Sequence, residues 1–330
     1  MGDVAMTLPV IRVVAQTYPH LKLTICSKPF FKPLFQDIPN CSFLESDLYG
    51  EHKNLGLQKL ADEALDHGID AVADLHNVLR TKAITSYLWL KGIPIARIDK
   101  GRSEKRALTN AKGRSIAPLR STHQRYADVF EKLGFPIDLD QHLFPLQRKL
   151  LPVHYELISK QPKKIIGIAP FAAYPSKMYP LDQMEAVIAT LNERNKYQLF
   201  LFGGGEDEKS LFESWESKYN SVSSIAGKLT FEQELALISN IDAMVAMDSG
   251  NGHLAAAFGI PVLTLWGVTH PYAGFTPFQQ PNAHQLISNR DQYPLIPTSV
   301  YGNKYPPSYE NAMKSIPTEL VINKIEELVK

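Results

Sequence analysis

Apolar residues at Val10, Ile11, Val14 and Ala15 recur at helical spacing in "LPVIRVVAQTYPH" and predict a helix that stops before Pro19. A short β-branched strand, "LKLTICS" (21–27), comes next, followed by a loop-helix segment, "FFKPLFQDIP". In "DHGIDAVADLHN" (66–77) a helix ends at Gly68 and a buried strand begins; the helix "RTKAITSYLWLKG" and the short apolar "IPIARI" follow. Strand alternating with helix in this way predicts a parallel, helix-covered sheet. From 134 to 164 the texture changes, because Pro136, Pro145, Pro152 and Pro162 break any long regular element, and this stretch reads as a linker. Alternation then resumes with strands "KIIGIAP", "YQLFLFGGG", "SVSSIAG", "DAMVAMDSG" and "IPVLTLWG". Between them lie the helices "LDQMEAVIATLNERN", "EDEKSLFESWESKY", "TFEQELALISN" and "NGHLAAAFG". The second half is a doubly wound α/β domain. Two domains are expected, 1–150 and 151–330.

Composition narrows the partners rather than the fold. The 330 residues are 44% hydrophobic, enough for two cores, and 35 Lys+Arg against 34 Asp+Glu leave a net charge of +1. No nucleic acid is implied by that balance. Two cysteines, Cys26 and Cys41, are too few for a disulfide framework or a cysteine metal site and fit a reducing, cytoplasmic compartment. No apolar run approaches the ~18 residues of a membrane span. The N-terminus is not a secretory signal either, since Asp3, Pro9 and Arg12 interrupt it.

The most informative stretch is "DAMVAMDSGNGHLAAAFGIPVLTLWG" (242–267). A buried strand ends at Asp248, and a turn of small residues delivers the chain into an Ala-rich helix whose free N–H groups suit a phosphate. Gly250 and Gly252 would let the backbone approach a ligand and Asp248 and His253 would flank the anion pocket; alternatively Asp248 and Ser249 simply cap the helix and His253 is a satisfied surface residue. In "YQLFLFGGGEDE" three glycines leave room, and Glu206 could accept hydrogen bonds from ribose hydroxyls or simply favour the next helix N-terminus. Lys177, in the loop "PFAAYPSKMYP", supplies a point charge for a departing pyrophosphate. Together these describe a nucleotide-diphosphate site. Neither a G-x-G-x-x-G fingerprint nor a Walker lysine is present, so a nucleotide-sugar fits better than a dinucleotide.

Taken in order, "MGDVAMTLPVIRVV", "DAVADLH", "PFAAYPSKMYP", "FGGGEDE" and "DSGNGHLAAAFGIPVLTLWG" resemble glycosyltransferase family 9, the lipopolysaccharide heptosyltransferases. The resemblance implies a GT-B fold, two Rossmann-like domains facing across a cleft, with acceptor bound by the N-terminal one and nucleotide-sugar by the C-terminal one. It implies an inverting transfer without metal or other cofactor. ADP-heptose is the donor so implied, and a lipopolysaccharide core the acceptor. Asp3 matches the acid of the family's first loop, where it deprotonates the acceptor hydroxyl. Lys177, Asp248, Ser249, Gly250 and His253 match donor-binding positions, and Glu206 lies near the family's ribose-binding acid. The last helix, 317–330, is expected to pack back on the N-terminal domain. In the family a buried strand precedes the Gly-Asp loop, so the first strand of the N-terminal sheet is expected to be missing from this sequence, and Met1 is expected to be internal to a longer native chain.

Two other features bear on function. From Lys100 to Arg125 the chain holds eight Lys+Arg and one acid, Glu104: either a solvated loop or a surface for an anionic lipid-linked saccharide at the inner membrane leaflet, contacted through Arg102, Lys105 and Arg106. The "DLD" at 138–140, the pattern a metal-dependent transferase would need, sits in the linker and reads as a turn. An epimerase or hydrolase on the same architecture, and a non-catalytic sugar-nucleotide binder, remain as alternative activities.

Overall fold

The computed structural model describes residues 1–110 and 116–330. The chain divides into two compact units. The first holds 3–100 and 122–145 with Met1, and the second holds 101–121 and 146–330 with Gly2. Instead of one boundary near 150, the chain therefore leaves its first unit at 101 and returns at 122.

The first unit starts with two helices, α1 (Gly2–Ala5) and α2 (Thr7–Thr17), and the apolar face of α2 buries Leu8, Val10, Ile11, Val13 and Val14. Next come β1 (Leu23–Ser27), β2 (Cys41–Glu45), α3 (Gly56–Asp66), β3 (Val72–Asp74), α4 (Leu79–Leu90) and β4 (Ile95–Arg97). Of these, β2 escaped the sequence reading, because "CSFLE" is short and follows a proline-broken segment. Among the described residues no strand precedes β1. The pairs β1–β2 and β3–β4 form two separate parallel sheets. At the end of β3, buried Asp74 organises the next helix. Its Oδ1 accepts the backbone N–H groups of His76 (3.1 Å) and Asn77 (2.7 Å), and its Oδ2 accepts the Thr81 hydroxyl (2.9 Å). Val78 precedes α4 without a side-chain oxygen, so Thr81 Oγ1 accepts the Val78 N–H (3.0 Å) and this acid and hydroxyl replace an ordinary cap. After α5 (Arg102–Leu108), which is counted with the second unit, α6 (Thr122–Lys132) returns to the first.

The proline-rich stretch holds little regular structure. Asp138 Oδ1 accepts the Asp140 N–H (3.0 Å) to cap a one-turn 3-10 helix, so "DLD" is a turn, and Pro152 opens the short α7 (Pro152–Leu157). From there the second unit alternates: β5 (Lys164–Ala169), α8 (Leu181–Glu193), β6 (Tyr197–Leu201), α9 (Glu206–Lys218), β7 (Val222–Ser224), α10 (Phe231–Ile238), β8 (Ala243–Met247), α11 (Gly250–Ala257), β9 (Val262–Trp266) and β10 (Gln285–Ile287). Among the described residues these strands form one parallel sheet in the order β10-β9-β8-β5-β6-β7. Every residue of β6, β8 and β9 is buried, as expected for parallel strands covered on both faces. The closing helix, α12 (Thr318–Leu328), was expected on the N-terminal domain. Its apolar stripe Val321, Ile322 and Ile325 instead enters the core of the second unit, beside Met184, Val187, Ile188 and Leu191 of α8.

Candidate functional site

In an open parallel sheet, ligands bind where the chain reverses its direction of travel across the strands. Here the chain leaves β5 for β6 and β7 on one side, then crosses back to β8, β9 and β10 on the other. The switch point is the carboxyl edge between β5 and β8. The loop after β5 carries Lys177 on a one-turn 3-10 helix (Pro175–Lys177), and Asp248 directly follows β8. Their side chains meet there: Lys177 Nζ lies 2.9 Å from Asp248 Oδ2, with only 12% and 8% of the two side chains exposed.

Such a pair gives up much hydration, so its strength depends on tight geometry. Part of that geometry comes from a distant segment. Gly302, at φ +86°, lies flat against the lysine stem; a Cβ there would sit 2.6 Å from both Cγ and Cδ of Lys177. The buried Ser176 hydroxyl donates to the Gly302 carbonyl (2.5 Å), and the Gly302 N–H donates to Ser299 Oγ (2.9 Å). The 299–302 turn thereby holds the lysine from behind. Sequence reading missed it, because the partners are more than 120 residues apart.

Beside the ion pair begins α11. Ser249 occupies its N-cap position in extended conformation, yet its hydroxyl makes no capping bond and is buried without a hydrogen-bond partner among the described residues. A buried hydroxyl left this way at a helix N-terminus is poised for a ligand oxygen. Gly250 opens the helix there. Gly252, expected to face the ligand, faces the sheet: a Cβ would lie 3.3 Å from Ala246 Cβ and 3.4 Å from Val262 Cγ1. Its missing side chain lets α11 pack closely on β8 and β9. His253, one residue on, is buried, and that burial, followed by the nearby Lys177 ammonium, pushes its pKa down to about 4. It is a neutral imidazole at physiological pH.

The third strand end behaves differently. Glu206 opens α9 on the surface, its side chain 87% exposed, and pairs with Lys209 Nζ at 2.7 Å. Glu208 is the acid that turns back onto the glycines, accepting the N–H groups of Gly204 (2.8 Å) and Gly205 (3.4 Å). The acidic pair therefore serves the helix N-terminus, and Glu206 shares an edge with Lys177 and Asp248 without a bond to either. Within the first unit, Asp3 is exposed on α1, and the buried Tyr126 hydroxyl of α6 donates to its backbone carbonyl (3.3 Å).

The basic run is not one surface. Lys105 is buried, its ammonium 4.1 Å from the centre of the Phe275 ring, so it is a packing residue and not the exposed acceptor contact expected. Arg125 is buried too and donates to the Asp99 carbonyl (3.4 Å). Arg102 and Arg106 are exposed on α5, while Lys112 and Arg114 lie outside the described residues. One cluster among the described residues has the composition of a metal site, Glu51, His52 and Glu63. Its bonding fits a structural network better. His52 Nδ1 accepts the Asp47 N–H (3.0 Å), which leaves the proton on Nε2 to be donated to Glu63 (3.1 Å), and the Lys59 ammonium binds Glu51.

These features meet the comparisons with known proteins. The sequence model for glycosyltransferase family 9 (heptosyltransferase) matches residues 58–305, three quarters of the chain and the whole of the sheet edge just described. The chain belongs to glycosyltransferase family 9. It is similar to lipooligosaccharide heptosyltransferase 2 of Haemophilus influenzae, at 25% identity over 100% of this chain and 96% of that one. Among solved structures, a family 9 glycosyltransferase from Veillonella parvula superposes with a TM-score of 0.73 at 20% identity, covering 100% of this chain and 94% of that one. The Escherichia coli heptosyltransferase WaaC, solved with ADP, gives 0.68 at 17% identity, covering 99% and 97%. The fold of this family 9 chain is GT-B.

Proposed function

We propose that this family 9 enzyme transfers a heptosyl group from ADP-heptose to a lipopolysaccharide-core acceptor with inversion at the anomeric carbon. The buried Lys177–Asp248 pair at the switch point, beside the Ser249 hydroxyl at the start of α11, carries this reading. The second unit binds the donor. The Lys177 ammonium, the backbone N–H groups at the α11 N-terminus and the Ser249 hydroxyl receive the diphosphate oxygens, while neutral His253 is suited to hydrogen-bond uncharged sugar hydroxyls.

The Asp3 carboxylate takes the proton of the acceptor hydroxyl, whose oxygen attacks the anomeric carbon. The electron pair of the breaking sugar–phosphate bond passes to the leaving ADP. Holding that developing charge is the task of a fixed cation and a helix N-terminus, which can do so without a metal ion. Arg102 and Arg106, both exposed, offer contacts for an anionic, lipid-linked acceptor. The relatives' names support the choice of sugar and acceptor: the H. influenzae protein is a lipooligosaccharide heptosyltransferase, and the E. coli heptosyltransferase was solved with ADP.

A panel of ADP-, GDP- and UDP-sugars, read as nucleotide release with and without a lipopolysaccharide-core acceptor, tests the proposal. Release from ADP-heptose that requires acceptor is expected, and Asp3→Asn should lower it by about 10²–10⁴-fold with ADP affinity kept. Release that ignores the acceptor would replace transfer by hydrolysis or epimerisation.

A further inference from the structure

The helix α4 has an outer face that its own fold does not explain. Its inner side is well used: Leu88 and Thr85 are buried, Tyr87 donates to Asp62 of α3 (2.7 Å), and Arg97 donates to the Thr85 hydroxyl (2.8 Å). Leu79, Lys82, Ala83, Ser86, Trp89 and Leu90 recur at spacings of three and four and are all exposed, forming one stripe on the opposite side. Leu79 is 86% exposed, Trp89 65% and Leu90 75%. A helix on a protein surface ordinarily turns charge toward water, whereas one apolar on both sides is covered by something.

Along the segment that carries this stripe the charge has one sign. No acidic residue lies between Asp74 and Asp99, while Arg80, Lys82, Lys91 and Arg97 do. We infer that the α4 face docks on an anionic phospholipid surface, with Trp89 and Leu90 entering the interface and Lys82 and Lys91 meeting the headgroups. An indole with a neighbouring lysine suits the headgroup level of a bilayer, where the ring is half solvated and the lysine stem lies along apolar material with its charge in water. A second copy of the chain suits it less. Symmetric pairing through this stripe would bring the like charges of Arg80, Lys82 and Lys91 from two copies together. With about 18 Å of length, the helix fits in the plane of an interface rather than across it. The inference extends the proposed function by naming the surface that brings the enzyme to a lipid-anchored acceptor, but vesicle binding requires neither donor nor transfer.

Tryptophan fluorescence provides a specific readout. Of the three tryptophans, Trp215 and Trp266 are 1% and 0% exposed, so a change of solvent around an exposed indole reports on Trp89. The full chain is mixed with vesicles of phosphatidylcholine containing about one third phosphatidylglycerol, and with phosphatidylcholine alone. On the anionic vesicles the emission should shift to the blue and the protein should co-sediment, less so at high salt. Trp89→Ala with Leu90→Ser should weaken sedimentation at least about tenfold, and Lys82→Ala and Lys91→Ala about fivefold each. ADP release on a soluble, delipidated acceptor should be unchanged in all of them, which separates loss of docking from failure of the proposed chemistry. Equal binding by wild type and the Trp89/Leu90 variant, or a dimer that the variant abolishes, would overturn the inference.

Discussion

Gly302 and Lys177 provide a test of how the donor edge is held. In Gly302→Ala the new Cβ would stand 2.6 Å from Lys177 Cγ and Cδ, about 1 Å inside ordinary carbon contact. Overpacking of this kind costs about 1–3 kcal/mol, and a left-handed φ at a residue with a Cβ costs about 1–2 kcal/mol more. The two contributions separate by cycle. Lys177→Ala removes Cγ and Cδ, so the steric part should vanish in the double variant and only the backbone part remain. Lys177→Met removes the charge but keeps atoms at both positions, so the steric part should survive. Urea denaturation of the wild type, the three single variants and the two double variants gives the coupling directly: about 1–3 kcal/mol with alanine at 177, and near zero with methionine. ADP affinity, measured by titration calorimetry, should fall in Gly302→Ala because the ammonium is displaced from Asp248. Costs that add within about 0.5 kcal/mol in both cycles would refute the role given to the 299–302 turn.

Three further outcomes follow from the structure. His253, neutral with a pKa near 4 when folded, titrates near 6.5 when unfolded, so stability should fall as pH drops from about 6.5 to 4, by up to about 1.4 kcal/mol per unit. His142, pushed down to about 4 by burial, acts in the same direction and Glu234, raised to about 7 by burial, in the opposite one; His253→Asn should lose its own share of the slope, and an unchanged slope would contradict the assignment. Asp74→Ala, which removes the acceptor of three hydrogen bonds at the start of α4, should cost about 2–3 kcal/mol in urea denaturation, and a loss under about 0.5 kcal/mol would show that Thr81 alone suffices. Lys105→Ala should destabilise by about 2 kcal/mol with the acceptor KM unchanged, whereas charge reversal at Arg102 and Arg106 should raise that KM and spare stability; the opposite split would restore Lys105 as a ligand contact.

The sequence by itself determined the order of elements in the second unit, because each of its strands is a compact apolar run closed by glycine or an acid and each helix has its own periodicity. It also put Lys177, Asp248 and Ser249 at one edge of the sheet, since a parallel sheet carries all its strand ends to one edge and the chain order alone names the residues there. What lies opposite those residues was decided only by tertiary structure. Glu206 and Glu208 are equivalent acids in sequence, and the backbone path of the glycine turn decides which of them bonds inward. Gly252 looks like a ligand glycine until the distance to Ala246 shows what it touches, and Lys105 looks solvated until Phe275 appears beneath it. Gly302 carries no local signal, because the demand for a missing Cβ comes from a lysine 125 positions away. Pattern along the chain records which way a residue faces, whereas its neighbour across the fold depends on contacts between distant segments that no local window contains.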